Sequence, residues 1–189
     1  MNYTETQQKI LNAAESLIQT QGFNGFSYKD ISGLIGIKTS SIHYHFPAKE
    51  DLGMAVIDWQ FSKLLPILTQ IKSNKLLSTR RKLYNFLEVV FGVTYQDQFK
   101  MCLGGMLASD VFLLTEPLRN KIKWFFEQLM GWLDSVISAS DIKDSAKGLS
   151  NALSKHLVIH LEGGLLLGRL FQDQDYLNLI QHFVDSQIK

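Results

Sequence analysis

The stretch Ser27-Tyr28-Lys29-Asp30-Ile31-Ser32-Gly33-Leu34-Ile35-Gly36-Ile37-Lys38-Thr39-Ser40-Ser41-Ile42-His43-Tyr44-His45-Phe46-Pro47 decides how this chain is to be read. Ser27 and Asp30 stand at capping-box spacing, so a helix opens at Ser27. Ile31 and Leu34 supply its buried face. Gly36 closes it, because glycine accepts the left-handed conformation that ends helices. A second short helix follows almost at once, from about Lys38 to His45, with Ile42 and Phe46 four apart on its inner side. Pro47 stops it. Two short helices joined by a tight glycine turn have the layout of a helix-turn-helix.

With Ile42 and Phe46 turned inward, Thr39, Ser40, His43 and Tyr44 are left largely outside. Such short or flat hydrogen-bonding side chains let a helix lie close against base edges and phosphates. An ordinary solvated face carries more Glu, Lys and Gln. Lys38 and Lys49 bracket the segment and suit phosphate contact. Three lysines (29, 38 and 49) against Asp30 give residues 27–49 a local +2 in a chain whose net charge is +1. The balanced total excludes a broad positive field but leaves room for a small docking surface.

Outward from this stretch the pattern stays helical. A first helix runs from about Thr4 to Thr20, with Thr4 and Gln7 at capping-box spacing and Ile10, Leu11, Ala14, Leu17 and Ile18 in one stripe. A fourth helix runs from about Lys49 past Phe61 and is expected to kink or end near Pro66. Lys72 to Thr79 is a polar joint. Beyond it, Leu83, Phe86, Leu87, Val90 and Phe91 form an unmixed helical stripe. Further helices are expected around Leu103 to Leu114, from Pro117 to about Ser138, from about Ser145 to Phe171, and from about Asp175 to Gln187. The expectation from this pattern is an all-α protein.

The 189 residues are 46% hydrophobic, ample for a buried core. A lone cysteine excludes an intrachain disulfide and a multi-cysteine zinc site. Met1 to Gln8 lacks the apolar core of a signal peptide. Leu157 to Leu170 is interrupted by His160, Glu162 and Arg169, so no membrane span is expected. No phosphate-binding glycine loop ending in Lys, no HExxH pair and no nucleophile elbow points to an enzyme. No cofactor is expected. The rival from another class is a helical adaptor whose helix-turn-helix binds protein.

Gly22-Phe23, Phe26-Ser27, Asp30-Ile31, Gly36-Ile37 and the run from Ser41 to Leu52 resemble the N-terminal domain of TetR-family (TetR/AcrR-like) transcriptional regulators over about the first 60 residues. The resemblance implies a three-helix DNA-binding domain over 1–62 and a C-terminal domain over 63–189 that dimerises and receives a small-molecule inducer. It further implies a homodimeric repressor, in a bacterial cytoplasm, on an inverted-repeat DNA operator. Position by position, it implies that Thr39, Ser40 and His43 face bases. Tyr28, Lys38, Ser41, Tyr44 and Lys49 fall where the family touches phosphates. Most members have Tyr where this chain has His43.

In the C-terminal region the last two helices, about 145–188, read as the dimer interface. They carry Leu149, Leu153, Leu157, Leu161 and Leu165, with Gly164 and Gly168 four apart, then Leu179, Ile180 and Phe183. Phe86, Phe91, Tyr95, Met101, Met106, Trp124, Phe125 and Trp132 are the pool for pocket walls and suit a hydrophobic or aromatic ligand. Cys102 joins that pool. The segment Met101 to Asp110 resembles a Cys-containing helix start in a subset of the family, some of whose members respond to electrophiles or oxidants. A helix N-terminus and Lys100 would favour the thiolate, whereas free cysteines are most often buried and inert. His156 and His160 lie four apart without a third ligand nearby, so no metal is expected.

Overall fold

The computed structural model describes residues 3–94, 100–137, 141–143, 152–173 and 175–189. Among these no strand is formed beyond an isolated bridge between Ile142 and Ile188. The helices are α1 (Glu5–Gln21), α2 (Tyr28–Ile35), α3 (Thr39–His45), α4 (Lys49–Ser73) and α5 (Thr79–Thr94). After them come α6 (Leu103–Ser109), α7 (Glu116–Val136), α8 (Leu153–Phe171) and α9 (Asp175–Gln187). Short 3-10 turns occupy Phe23–Gly25 and Val111–Leu113.

The chain forms two compact units. The first holds Met1–Leu64 and Leu103–Phe125, the second Leu65–Cys102 and Phe126–Lys189. This division departs from a single cut after residue 62. The segment 103–125 joins the N-terminal helices because α6 packs on α1, and its Leu103 and Leu107 are wholly buried. A linear cut cannot express such a return of the chain.

Within the first unit the caps form as their residues dictate. Thr4 and Gln7 make a reciprocal box at the start of α1, and Ser27 and Asp30 make another at α2. The hydrogen bonds from Ser27 hold the Asp30 carboxyl below its usual range. Gly36 takes φ 70° and ψ 27° at the end of α2, a left-handed backbone that few other residues adopt. Ile31 is wholly buried beneath α2, whereas Leu34, expected beside it, is exposed. The stripe Ile10, Leu11, Ala14 and Ile18 is fully buried. Gly53 permits a close approach: a Cβ there would lie 2.8 Å from the Phe23 ring and 3.2 Å from a Leu118 methyl.

The second unit is centred on α5, whose Leu83, Phe86 and Leu87 are each about 1% exposed. Trp132 stacks on Phe86 at 5.3 Å and donates its indole N–H to the Leu68 carbonyl at 3.0 Å. Tyr84 donates to Asp185 at 2.6 Å, tying α5 to α9. Helix α4 runs through Pro66 to Ser73 instead of ending near it. Pro66 is exposed, so solvent can take up the carbonyl that its missing N–H leaves free.

The leucine stripe of α8 also departs from its reading as a dimer interface. Leu153, Leu157, Leu161 and Leu165 are at most 3% exposed in the single chain, and Gly164 accommodates the chain's own Ile180, whose Cδ1 would lie 2.7 Å from a Cβ. They are intrachain core. Leu149 and residues 144–151 lie outside the described residues. Gly53→Ala is expected to lose about 1–3 kcal/mol through overpacking, whereas Gly131→Ala, in open space on α7, gains about 0.5–1 kcal/mol of helix propensity. Urea unfolding of both variants checks the contrast.

Candidate nucleic-acid interface

Tyr28, the first residue of α2, builds this site. Its side chain is buried, and its hydroxyl lies 2.8 Å from the carbonyl oxygens of both Phe46 and Ala48. One O–H thus serves two acceptors between α3 and α4, where Pro47 offers no N–H. Burial, with Asp51 and Glu50 nearby, pushes the Tyr28 pKa up to about 12, which keeps the donor protonated. Ile42 and Phe46 are buried beneath α3, as their spacing requires. Expected on phosphates, Tyr28 has a buried ring and a hydroxyl committed to these carbonyls.

Lys49 is also engaged. Its ammonium lies 4.2 Å from the Phe26 ring centroid and 5.1 Å from that of Phe23, and it donates to the Phe26 carbonyl. Burial lowers its pKa from the usual lysine value. The side chain is half-buried, and an ammonium has two further N–H groups to offer.

The outer face of α3 is what these anchors leave in solvent. Lys38, Ser40, His43 and Tyr44 are exposed, Tyr44 by 84%, while Thr39 and Ser41 are half-buried. The His43 ring lies 4.6 Å from that of Tyr28, and its Nδ1 is 3.4 Å from the Pro47 carbonyl. An open hollow of about 440 Å³ adjoins this face. It brings Tyr28, Thr39, His43 and Lys49 together with Ser27 and Lys29, and no carboxylate lines it. Lys38, Ser40, Ser41 and Tyr44 do not line it. Ser27 was legible only as a cap and Lys29 only as part of a charge count; their placement beside α3 depends on how Tyr28 seats α2.

The pool of pocket-wall residues is divided between the two units. Phe86, Phe91, Met101, Cys102 and Trp132 belong to the second unit, whereas Met106, Trp124 and Phe125 belong to the first. There Phe61 packs edge-on against Trp124 at 4.9 Å and Phe125 at 6.3 Å. Tyr95 lies outside the described residues. Cys102 is buried. His160 stacks on Phe183 at 3.9 Å, with its Nδ1 2.7 Å from the His156 carbonyl. Among the described residues no three His, Cys, Asp or Glu side chains gather as a metal site.

A profile of bacterial regulatory proteins of the tetR family matches residues 10–56, from the core of α1 into α4. A TetR transcriptional regulator from Legionella pneumophila, known by crystal structure, is 44% identical, with a TM-score of 0.90 and 100% of both chains covered. This chain belongs to the TetR family. An HTH-type transcriptional regulator in the lacX 3′ region of Lactococcus lactis subsp. lactis is 28% identical, over 93% of this chain and 89% of its own. The HTH-type transcriptional regulator CymR of Pseudomonas putida is 26% identical, over 77% of this chain and 72% of its own. As a TetR-family member the chain is a DNA-binding transcriptional regulator and not an enzyme. Among its described residues no helix is long and apolar enough to cross a membrane.

Tyr28→Phe removes the shared donor and leaves two carbonyls without it. The expected loss is about 1–3 kcal/mol in chemical denaturation, with helix content by circular dichroism retained. A variant as stable as the parent contradicts the anchoring role.

Proposed function

We propose that this TetR-family regulator is a homodimeric repressor that binds an inverted-repeat operator and is released by a small effector. The observation that carries the DNA-binding half is the acid-free hollow of Ser27, Lys29 and Lys49 beside an exposed α3 face. In this reading the hollow receives a backbone phosphate, aided by the N-terminal dipole of α2. Thr39, Ser40 and His43 meet base edges in the major groove, and Lys38, Ser41 and Tyr44 flank them on the sugar–phosphate backbone. Tyr28, which lines the same hollow, acts chiefly by holding α2 against the end of α3.

The dimeric half is supported by a second stripe on α8. Ile159, Gly163, Leu166 and Leu170 recur at i, i+4, i+7 and i+11, opposite the buried leucines. Ile159 is 65% exposed and Leu170 69%, and a Cβ at Gly163 would meet nothing within 4 Å. Leu167 and Leu179 add to the exposed apolar surface. A second copy laid against this face buries it isologously. The two recognition helices then sit about 34 Å apart, one duplex turn, or farther on a longer site. Effector binding in the second unit acts by favouring a dimer whose recognition helices no longer match successive grooves.

Fluorescence anisotropy on DNA from immediately upstream of the regulator's own gene tests the interface. Lys29→Ala and Lys38→Ala should each weaken binding to all sequences and flatten the salt dependence by about 0.9 in log–log slope. Ser40→Ala and Thr39→Ala should instead change which operator is preferred; equal loss on every sequence contradicts their base-facing role. An adaptor that binds protein would show no salt-dependent DNA affinity. Replacing Leu166 and Leu170 by Asp should leave monomers in sedimentation velocity, and an intact dimer would refute the α8 interface.

A further inference from the structure

His43 lies exposed on α3 and lines the acid-free hollow together with Thr39 and Lys49. Two contacts within the chain set its ring. One is with the Tyr28 ring, 4.6 Å away between centroids and tilted by 58°. Tyr28 is itself held through its hydroxyl by the Phe46 and Ala48 carbonyls. The other contact brings His43 Nδ1 to 3.4 Å from the Pro47 carbonyl oxygen. A carbonyl accepts and cannot donate, so this contact is a hydrogen bond only when Nδ1 carries the proton. In a neutral imidazole that choice decides the other nitrogen: Nε2 keeps its lone pair and is an acceptor. No further hydrogen bond to the ring is made among the described residues, so Nε2 is left for a partner outside the chain.

An acceptor in this place discriminates between the kinds of DNA atom that α3 can meet. Phosphate oxygens only accept, and a tyrosine hydroxyl could donate to them where this ring cannot. In the major groove the donors are the exocyclic amines, cytosine N4 and adenine N6, whereas guanine shows only acceptors and thymine a carbonyl and a methyl. We propose that neutral His43, held in its Nδ1-protonated form by the Pro47 carbonyl, accepts a hydrogen bond at Nε2 from a cytosine or adenine amine and so selects the base at one position of each operator half-site. The inference rests on the DNA-reading role of α3 given above.

The test starts from a pool of random-sequence duplexes, enriched on the full-length protein at about pH 8, where an imidazole is neutral. The enriched consensus is then remade with single groups removed. Each cytosine in turn becomes 2-pyrimidinone and each adenine becomes purine, which deletes the amine. Each purine base in turn becomes its 7-deaza form, which deletes an acceptor. Anisotropy compares wild type with His43→Ala on every duplex. In each half-site one amine deletion should weaken wild type by at least about threefold and leave His43→Ala unchanged. An effect of His43 that tracks an N7 atom, or no amine at all, overturns the proposal. The tautomer is read without DNA, by long-range proton–nitrogen correlation of the imidazoles at the same pH, with the His43 signals assigned by their loss in His43→Ala. A protonated Nδ1 and a bare Nε2 are expected, and a protonated Nε2 overturns the proposal. If no duplex is enriched, the DNA-reading role fails and this inference falls with it. Enrichment without an amine that depends on His43 overturns this inference alone.

Discussion

The Tyr28 hydroxyl lies between the carbonyls of Phe46 and Ala48, and the DNA-facing surface depends on that contact. The last carbonyls of a helix have no partner within it, and here the next residue is a proline that cannot donate. A donor has to arrive from elsewhere, and the first residue of α2 supplies it. The same ring packs against His43, so one side chain fixes where α3 ends and how its outer face is presented. Ile42 and Phe46 bury the opposite face of α3. Together these constraints leave Ser40, His43 and Tyr44 to solvent on a helix of seven residues. A helix that short is marginal alone, so its geometry comes from its anchors.

A similar division of labour shapes α8. Its inner stripe of leucines closes the core of its own unit, and Gly164 lets α9 approach closely through Ile180. The outer stripe of Ile159, Leu166 and Leu170 is exposed among the described residues. One helix thus carries both a core face and an exposed apolar face.

Much of the first unit was legible in the sequence because its signals are local. Thr4, Ser27 and Gly36 mark helix ends by what a cap requires, and the spacing of Ile42 and Phe46 fixes the inner side of α3. Tyr28 was not legible, since a tyrosine carries both an apolar ring and a polar tip and residue type alone does not say whether the tip meets a phosphate or a carbonyl. Lys49 shows the same ambiguity, its aliphatic stem and charge both being used against Phe26. In α8 the leucine period showed that one face is buried, but periodicity does not say by what. Glu162 stood out in the sequence only as a break in an apolar run; its burial beside Cys102 depends on tertiary packing. The return of 103–125 to the N-terminal helices is a non-local contact of the same kind.

The most direct test of the central claim is to map where the outer face of α3 lies on DNA. An iron-chelate cleavage reagent attached to Ser40→Cys, in a Cys102→Ser background, would be bound to DNA from upstream of the gene and its cuts read at nucleotide resolution. Two clusters of cuts in the major groove, separated by about one duplex turn (~34 Å) or more and related by two-fold symmetry, are the result expected here. Cuts scattered along the duplex, or none above the level of unattached reagent, would contradict the assignment of α3 as the reading helix.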